Sequence, residues 1–279
     1  MLKNLTELFE LEQQKDKAFG AFNIYNYETI KGVLAAAEEK KTGVILAFGA
    51  KYLTNIDFST VVAITKSLAE TINYPVVLHL DHCTDFSLIK RAIEAGFTSV
   101  MYDGSMLTYE ENVANTKKVV DLAKAKNVSV EGELGSLAAG QGSHEGLPED
   151  LEVYTNPEQA KEFVERTGVD CLAVSIGTVH GMYAREPNIR LDILAAINEL
   201  VTVPLVLHGG SGTPVEKIQG AIKKGIAKIN VNTELSTYTI EATKAYLAKE
   251  KSPHLSQVYL AQQNDIKDVV KKYISIFQD

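Results

Sequence analysis

No stretch of about 18 apolar residues, the length needed to cross a bilayer, occurs in these 279 residues. The opening segment, MLKNLTELFELEQQKDKAFG, lacks the apolar core of a signal peptide and reads instead as an amphipathic helix. Two cysteines, Cys83 and Cys171, are too few for a disulfide framework, which points to a cytoplasmic chain. Positive charge is also in deficit: a formal net charge of −8 excludes nucleic acid as the natural partner. It leaves open a small anionic ligand, because a metal or a helix N-terminus sets the local field whatever the net charge. There is no linker, low-complexity tract or short-period repeat.

What the chain does contain is 45% hydrophobic residues, arranged as short apolar runs that alternate with amphipathic stretches. The runs at 18–24, 44–48, 76–82, 99–105, 129–135, 171–177, 204–210 and 228–234 read as strands, each followed by a helical pattern. Asn156-Pro157 with Gln159, and Thr213-Pro214 with Glu216, mark helix starts by N-cap, N1 proline and capping-box residue. This alternation predicts one α/β domain over 1–279, a (β/α)₈ TIM barrel with an N-terminal helix and a C-terminal helical extension. An open doubly wound sheet is the alternative. The longest connection, 136–156, follows the fifth strand, and a loop of about 20 residues inside a compact domain is usually functional or disordered.

Catalytic groups of such a barrel gather at the C-terminal ends of its strands. Three of the six histidines fall there: His82, His180 and His208. Each alone reads as a satisfied structural residue, but three converging on one mouth suit a catalytic zinc, with Glu133 placed to supply a fourth, oxygen ligand. His79 reads as core, His254 as surface and Cys83 as a small buried hydrophobe. The run HGGSGTP, with Gly209, Gly210 and Ser211 before a helix start, offers backbone N–H groups to an anion. Asn230, Asn232 and Thr233 at the last strand tip add polar donors.

Taken together these tips resemble the class II, zinc-dependent ketose-bisphosphate aldolases, and within them the fructose- and tagatose-bisphosphate branch. The likeness runs from AFNIYN (21–26) to NVNTELS (230–236), with LDHC (80–83), GFTSVMYDGS (96–105), EGELG (131–135), IGTVHG (176–181) and LVLHGGSG (205–212) between. The resemblance implies Asp81 as proton carrier, and His82, His180 and His208 as zinc ligands. It further implies a phosphate site of Gly181, Gly209, Gly210, Ser211 and the tip Asn230, Val231, Asn232 and Thr233, with Asn23 on the ketone phosphate. A monovalent cation (Na⁺ or K⁺) beside the phosphate and a homodimer or homotetramer are expected. The implied reaction is reversible cleavage of a fructose or tagatose 1,6-bisphosphate to dihydroxyacetone phosphate and glyceraldehyde 3-phosphate.

Other readings compete. A Schiff-base aldolase needs a lysine inside the barrel, and the strand-six run CLAVSIG has none. A metal-dependent hydrolase would carry His-x-His at strand one, where AFNIYN has no histidine. A non-catalytic phosphosugar-binding relative would have no need of Asp81 and three ligand histidines. Two departures bear on the second half of the substrate. Where the family has a loop glutamate that handles the C3 proton, this chain has Gln141, and glutamine cannot carry a proton. Where the family often has an arginine near the C-terminus, Ser252 to Tyr259 has none, which leaves a ketose 1-phosphate with an unphosphorylated aldehyde half as the alternative substrate. For the missing acid, Glu145 is the first candidate and His144 the second. Glu145→Gln is expected to slow solvent exchange of the C3 proton of dihydroxyacetone phosphate by roughly tenfold or more. Exchange unaffected by either Glu145→Gln or His144→Ala would return that proton to Asp81 or water.

Overall fold

The computed structural model describes residues 2–11, 16–139, 153–183 and 187–278. Its strands are β1 (Phe19–Asn23), β2 (Val44–Gly49), β3 (Val76–Cys83), β4 (Ser99–Tyr102), β5 (Ser129–Leu134), β6 (Ala138–Ala139), β7 (Cys171–Val174), β8 (Val179–His180), β9 (Leu205–Leu207) and β10 (Ile226–Val231). Its helices are α1 (Leu5–Leu11), α2 (Tyr27–Lys40), α3 (Phe58–Ala69), α4 (Phe86–Ala95), α5 (Tyr109–Lys124), α6 (Pro157–Thr167), α7 (Leu191–Leu200), α8 (Val215–Ile222), α9 (Thr233–Lys249) and α10 (Leu255–Gln278). Eight strands close a parallel barrel in the order β1-β2-β3-β4-β5-β7-β9-β10 and back to β1. The barrel, rather than the open sheet, is the fold.

Strand alternation sorts each side chain to one side of the barrel wall. Val76, Leu78 and Leu80 of β3 face outward into the layer shared with the helices. Val77 faces inward, into a lower plug with Phe19, Ile45, Cys171 and Val206. Leu5 and Leu8 of α1 belong to the same plug, so the N-terminal helix stoppers the floor of the barrel. Its neighbours fix it there: Lys3 N–H donates to Val76 O (2.9 Å), and Leu5 N–H to Ser129 Oγ (3.0 Å). At the other end of the chain α10 packs on α2, and Gly32 gives it room, since a Cβ there would sit 2.7 Å from Ile266 Cγ2.

Helix starts follow side-chain chemistry. Asn26 and Thr108 form capping boxes with Thr29 and Glu111, and Asn156 accepts from Gln159 N–H ahead of Pro157. The second start marked by sequence differs. Helix α8 begins at Val215 with Pro214 as its cap residue and no side-chain cap. The Thr213 hydroxyl is used instead to donate to Gly209 O (2.8 Å), folding the glycine loop back on itself.

A short two-stranded sheet, β6 with β8, stands outside the barrel and was not expected. It presents His180 at the mouth. The base of the long connection after β5 is pinned by an antiparallel bridge between Ser136 and Val153, and by Thr155 Oγ1 donating to Leu134 O (2.5 Å). Gln141, His144 and Glu145 lie outside the described residues. Among the described residues no helix is long and apolar enough to cross a membrane.

Candidate metal centre and active site

At the end of β3 the strand geometry breaks. The pairing with β4 runs Leu80 with Val100, then Cys83 with Tyr102, so Asp81 and His82 together face one residue. This is a bulge, and His82 takes a left-handed backbone at φ 41°. The bend turns both side chains toward the barrel mouth.

The three histidines meet there. The His82 ring centroid lies 4.9 Å from that of His180 and 4.6 Å from that of His208. One nitrogen from each falls within 4.8 Å of the others. Hydrogen bonds fix two of the tautomers. A carboxylate only accepts, so His82 Nδ1–H donates to Asp103 Oδ2 (3.2 Å) and leaves Nε2 as the lone-pair nitrogen. His208 Nε2–H donates to Glu131 Oε1 (2.9 Å) and leaves Nδ1. Carboxylates backing imidazoles in this way are the usual outer support of a metal site.

Among the buried polar atoms without a hydrogen-bond partner in the described residues are His208 Nδ1 and Glu133 Oε2, which lie 3.6 Å apart at this site. Each costs about 1–3 kcal/mol if left so, and a cation between them would satisfy both. Burial, and after it the charges of His82 and Lys228, hold the His208 pKa well below the usual imidazole value, which suits a neutral metal-binding imidazole. Burial and the charge of Asp103 push the Glu133 carboxyl well above its usual range, which a metal would reverse. Neutral imidazoles with one carboxylate form a donor set suited to zinc. A second cluster, His82 with Asp103 and Glu133, shares this wall, but its His82 nitrogen is the one already bonded to Asp103.

Asp81 stands beside the cluster, 2% exposed. Asn230 Nδ2 donates to its Oδ1 (3.0 Å) and Asn23 Nδ2 to its Oδ2 (3.3 Å). Burial pushes its carboxyl up, yet the positive charge around it, that of His82 when protonated and that of Lys228, outweighs this and holds it below the ordinary value. It is therefore a carboxylate at neutral pH.

One cavity joins these groups. Asn23, Asp81, His82 and His180 line it together with Gly181, Gly209, Ser211, Asn230, Asn232 and Thr233. Gly209 needs its glycine: at φ 74° a Cβ would sit 2.2 Å from Val179 O. Two expected phosphate-site residues are placed differently. Val231 points outward into the helix-facing core, and Gly210 lies behind the wall, its N–H donating to Asn230 O (2.9 Å). Adjoining residues of a strand and its turn cannot all face one cavity.

Comparison with known proteins agrees with this geometry. The family model for class II fructose-bisphosphate aldolase matches residues 3–279. The chain belongs to that family. It is 42% identical over 275 residues to a probable fructose-bisphosphate aldolase of Bacillus subtilis, covering 96% of this chain and 95% of the relative. It is 43% identical over 271 residues to the D-tagatose-1,6-bisphosphate aldolase subunit GatY of Klebsiella oxytoca, covering 95% and 93%. Among solved structures, the YdjI aldolase of Escherichia coli K12 superposes with a TM-score of 0.88 at 35% identity, covering 99% of this chain and 97% of that one. The chain is accordingly a class II aldolase, a carbon–carbon lyase.

Sequence reasoning missed the residues behind this aldolase site. Glu131 shares the inward face of β5 with Glu133, two residues on, and Lys228 shares that of β10 with Asn230. That i, i+2 spacing was a legible signal. Asp103, just past β4, carried none beyond its charge. Lys228 also amends the case against a Schiff base. The barrel does contain a lysine, on β10 rather than at strand six, but it is fully buried, bonded to Glu131 and Asn230, and lines no part of the cavity. His79, also fully buried, is core as expected, with Nδ1 on Ser99 Oγ (2.8 Å), and its pKa is lowered to about 3, chiefly by burial.

The metal site generates a direct test. Exhaustive chelation should abolish activity and zinc should restore it, and His180→Ala should purify folded but without stoichiometric metal. Full activity in metal-free protein, or zinc retained by His180→Ala, would rule out the triad.

Proposed function

We propose that this enzyme carries out zinc-dependent, reversible aldol cleavage of a ketose 1,6-bisphosphate, the fructose or tagatose epimer, to dihydroxyacetone phosphate and glyceraldehyde 3-phosphate. The observation that carries the reading is a carboxylate held by two amides beside three imidazoles, facing a glycine-rich cradle. The names of the relatives from B. subtilis and K. oxytoca support the substrate class.

His82 through Nε2, His208 through Nδ1 and His180 would hold zinc, with Glu133 as a further oxygen ligand. Bound there, zinc supplies a Lewis acid to the C2 carbonyl oxygen. The ketone phosphate would sit against Gly181, Gly209, Ser211 and Thr233, at the start of α9, with Asn23 and Asn232 beside it. The N–H groups of Gly210 and Gly212 are already used, on Asn230 O and Glu234 Oε2 (3.3 Å), and shape the cradle rather than fill it. Asp81 takes the proton of the C4 hydroxyl as the C3–C4 bond breaks and the aldehyde forms. The electron pair of that bond passes toward the C2 carbonyl, and C3 then gains a proton, a step we assign to Glu145, with His144 as the substitute. A monovalent cation beside the phosphate, a homodimer or homotetramer, and a cytoplasmic setting complete the reading; the free cysteines Cys83 and Cys171 suit the last.

A second reading, cleavage of a ketose 1-phosphate with an uncharged aldehyde half, has its own observation. A separate cavity that shares Asn232 and Thr233 with the first is lined also by Tyr25, Tyr52, Asn55, Ser236 and Thr237, with no lysine or arginine among them. Against it stands Lys51, whose ammonium lies 5.1 Å from the Tyr52 ring centroid and is the cation at hand for a second phosphate. Cleavage rates on fructose, tagatose and sorbose phosphates, each with one and with two phosphates, separate the readings.

Asp81→Asn keeps the shape and removes the base. Zinc should stay bound while kcat falls by roughly 10²–10⁴, the usual worth of acid–base catalysis. A near-normal kcat would move the proton role to another group.

A further inference from the structure

Beneath the active-site layer, the barrel interior holds a chain of charged and polar groups that the mechanism does not use. At its centre is Lys228, with no exposed surface. A buried ammonium needs compensation for every N–H it brings out of water. Lys228 Nζ donates to Glu131 Oε2 and to Asn230 Oδ1, both at 2.8 Å. Each acceptor passes the contact on. Glu131 turns its other oxygen, Oε1, to His208 Nε2–H (2.9 Å). Asn230 turns its Nδ2 to Asp81 Oδ1 (3.0 Å).

From this connectivity we infer that Lys228 is a positioning residue that sets both the metal-facing tautomer of His208 and the orientation of the Asp81 carboxylate. The inference rests on the aldolase reading given above. An ammonium can only donate, so Asn230 must present its carbonyl to Lys228 and its NH₂ to Asp81. An amide flipped the other way would set its oxygen against the carboxylate and its NH₂ against the ammonium, and both contacts would repel. Lys228 thereby decides which end of Asn230 meets the base. On the other branch its Nζ–H donates to Glu131 Oε2 and turns Glu131 Oε1 to His208 Nε2–H, which leaves the lone pair of Nδ1 toward Glu133 Oε2 and the metal site. Lys228 lines no part of the cavity, so it acts through its two neighbours and touches no substrate.

A purely structural lysine would neutralise Glu131 and nothing more. A double-mutant cycle separates the two roles. Lys228→Met keeps the length of the side chain and removes its charge. The zinc-loaded variant should lose kcat by about 10–100-fold, the typical effect of removing an outer-shell partner. The metal-free variant should bind zinc about tenfold more weakly than wild type in competition with a chromogenic chelator. In an Asp81→Asn background, Lys228→Met should cost kcat clearly less than in the wild-type background, because the carboxylate it orients is gone and only the His208 branch is left. Zinc affinity within about twofold of wild type, or a kcat loss of equal size in both backgrounds, overturns the inference. If Lys228→Met does not fold, because Glu131 is left as a lone buried carboxylate, Lys228→Met/Glu131→Gln against Glu131→Gln tests the Asn230 branch, by a kcat loss that shrinks in the Asp81→Asn background. Glu131→Gln against wild type then tests the His208 branch, by weaker zinc binding. An equal kcat loss in both backgrounds, or unchanged zinc affinity, overturns the inference. Wild-type protein with no zinc-dependent cleavage of any ketose phosphate would sink the aldolase reading instead, and the zinc-affinity comparison would still decide the His208 branch.

Discussion

A strand delivers consecutive side chains to opposite faces, and the site of this enzyme depends on breaking that rule once. Asp81 and His82 share a mouth because β3 bulges after Leu80 and His82 adopts a left-handed backbone. For a residue with a Cβ that conformation costs roughly 1–2 kcal/mol. Bonds on both sides of the bend hold it: Asp103 on the His82 ring, and Asn23 and Asn230 on the Asp81 carboxylate. A straight strand would put the two side chains on opposite sides of the wall. The bend lets the proposed proton carrier and the proposed metal ligand, one residue apart, serve one substrate.

The barrel beneath is built in layers of different chemistry. Its floor is apolar, closed by Leu5 and Leu8 of α1. Above that lie His79, Glu131 and Lys228, all without exposed surface, and above those the metal cluster and Asp81. An apolar filling of the middle layer would pack as well, since a buried ion pair is a poor source of stability. Its use is orientation: the polar layer fixes tautomers and amide faces that an apolar one would leave free. A similar tie runs outward. Glu234, at the start of α9, accepts from Gly212 N–H, from Lys272 (2.9 Å) and from the Tyr273 hydroxyl, so the glycine loop is anchored to the C-terminal helix.

Much of this was legible in sequence, and the reasons are specific. Parallel strands buried on both faces read as apolar runs, and helix starts carry side-chain signals, so the eight-stranded barrel and the cap at Asn156 follow from local chemistry. Three histidines stood out because each fell at the end of an apolar run read as a strand. What stayed hidden depended on three-dimensional partners. Glu131 and Lys228 are 97 residues apart in sequence, and neither means much until β5 and β10 curl to face each other. The β6–β8 sheet is too short to leave a periodic pattern. Thr213 looked like a cap, but its hydroxyl had a nearer acceptor in Gly209 O. Val231 was grouped with its neighbours by motif, although alternation alone turns it outward.

The proposed zinc site joins three imidazoles from strand ends, backed by buried carboxylates and set one residue from the proposed base. X-ray absorption at the zinc edge of the purified enzyme reads that ligand shell. About three imidazole nitrogens at about 2.0–2.1 Å are expected, with oxygen completing the shell and no sulfur. His208→Ala should remove one nitrogen or abolish binding. A shell containing thiolate sulfur, or one of oxygen ligands alone, would contradict it.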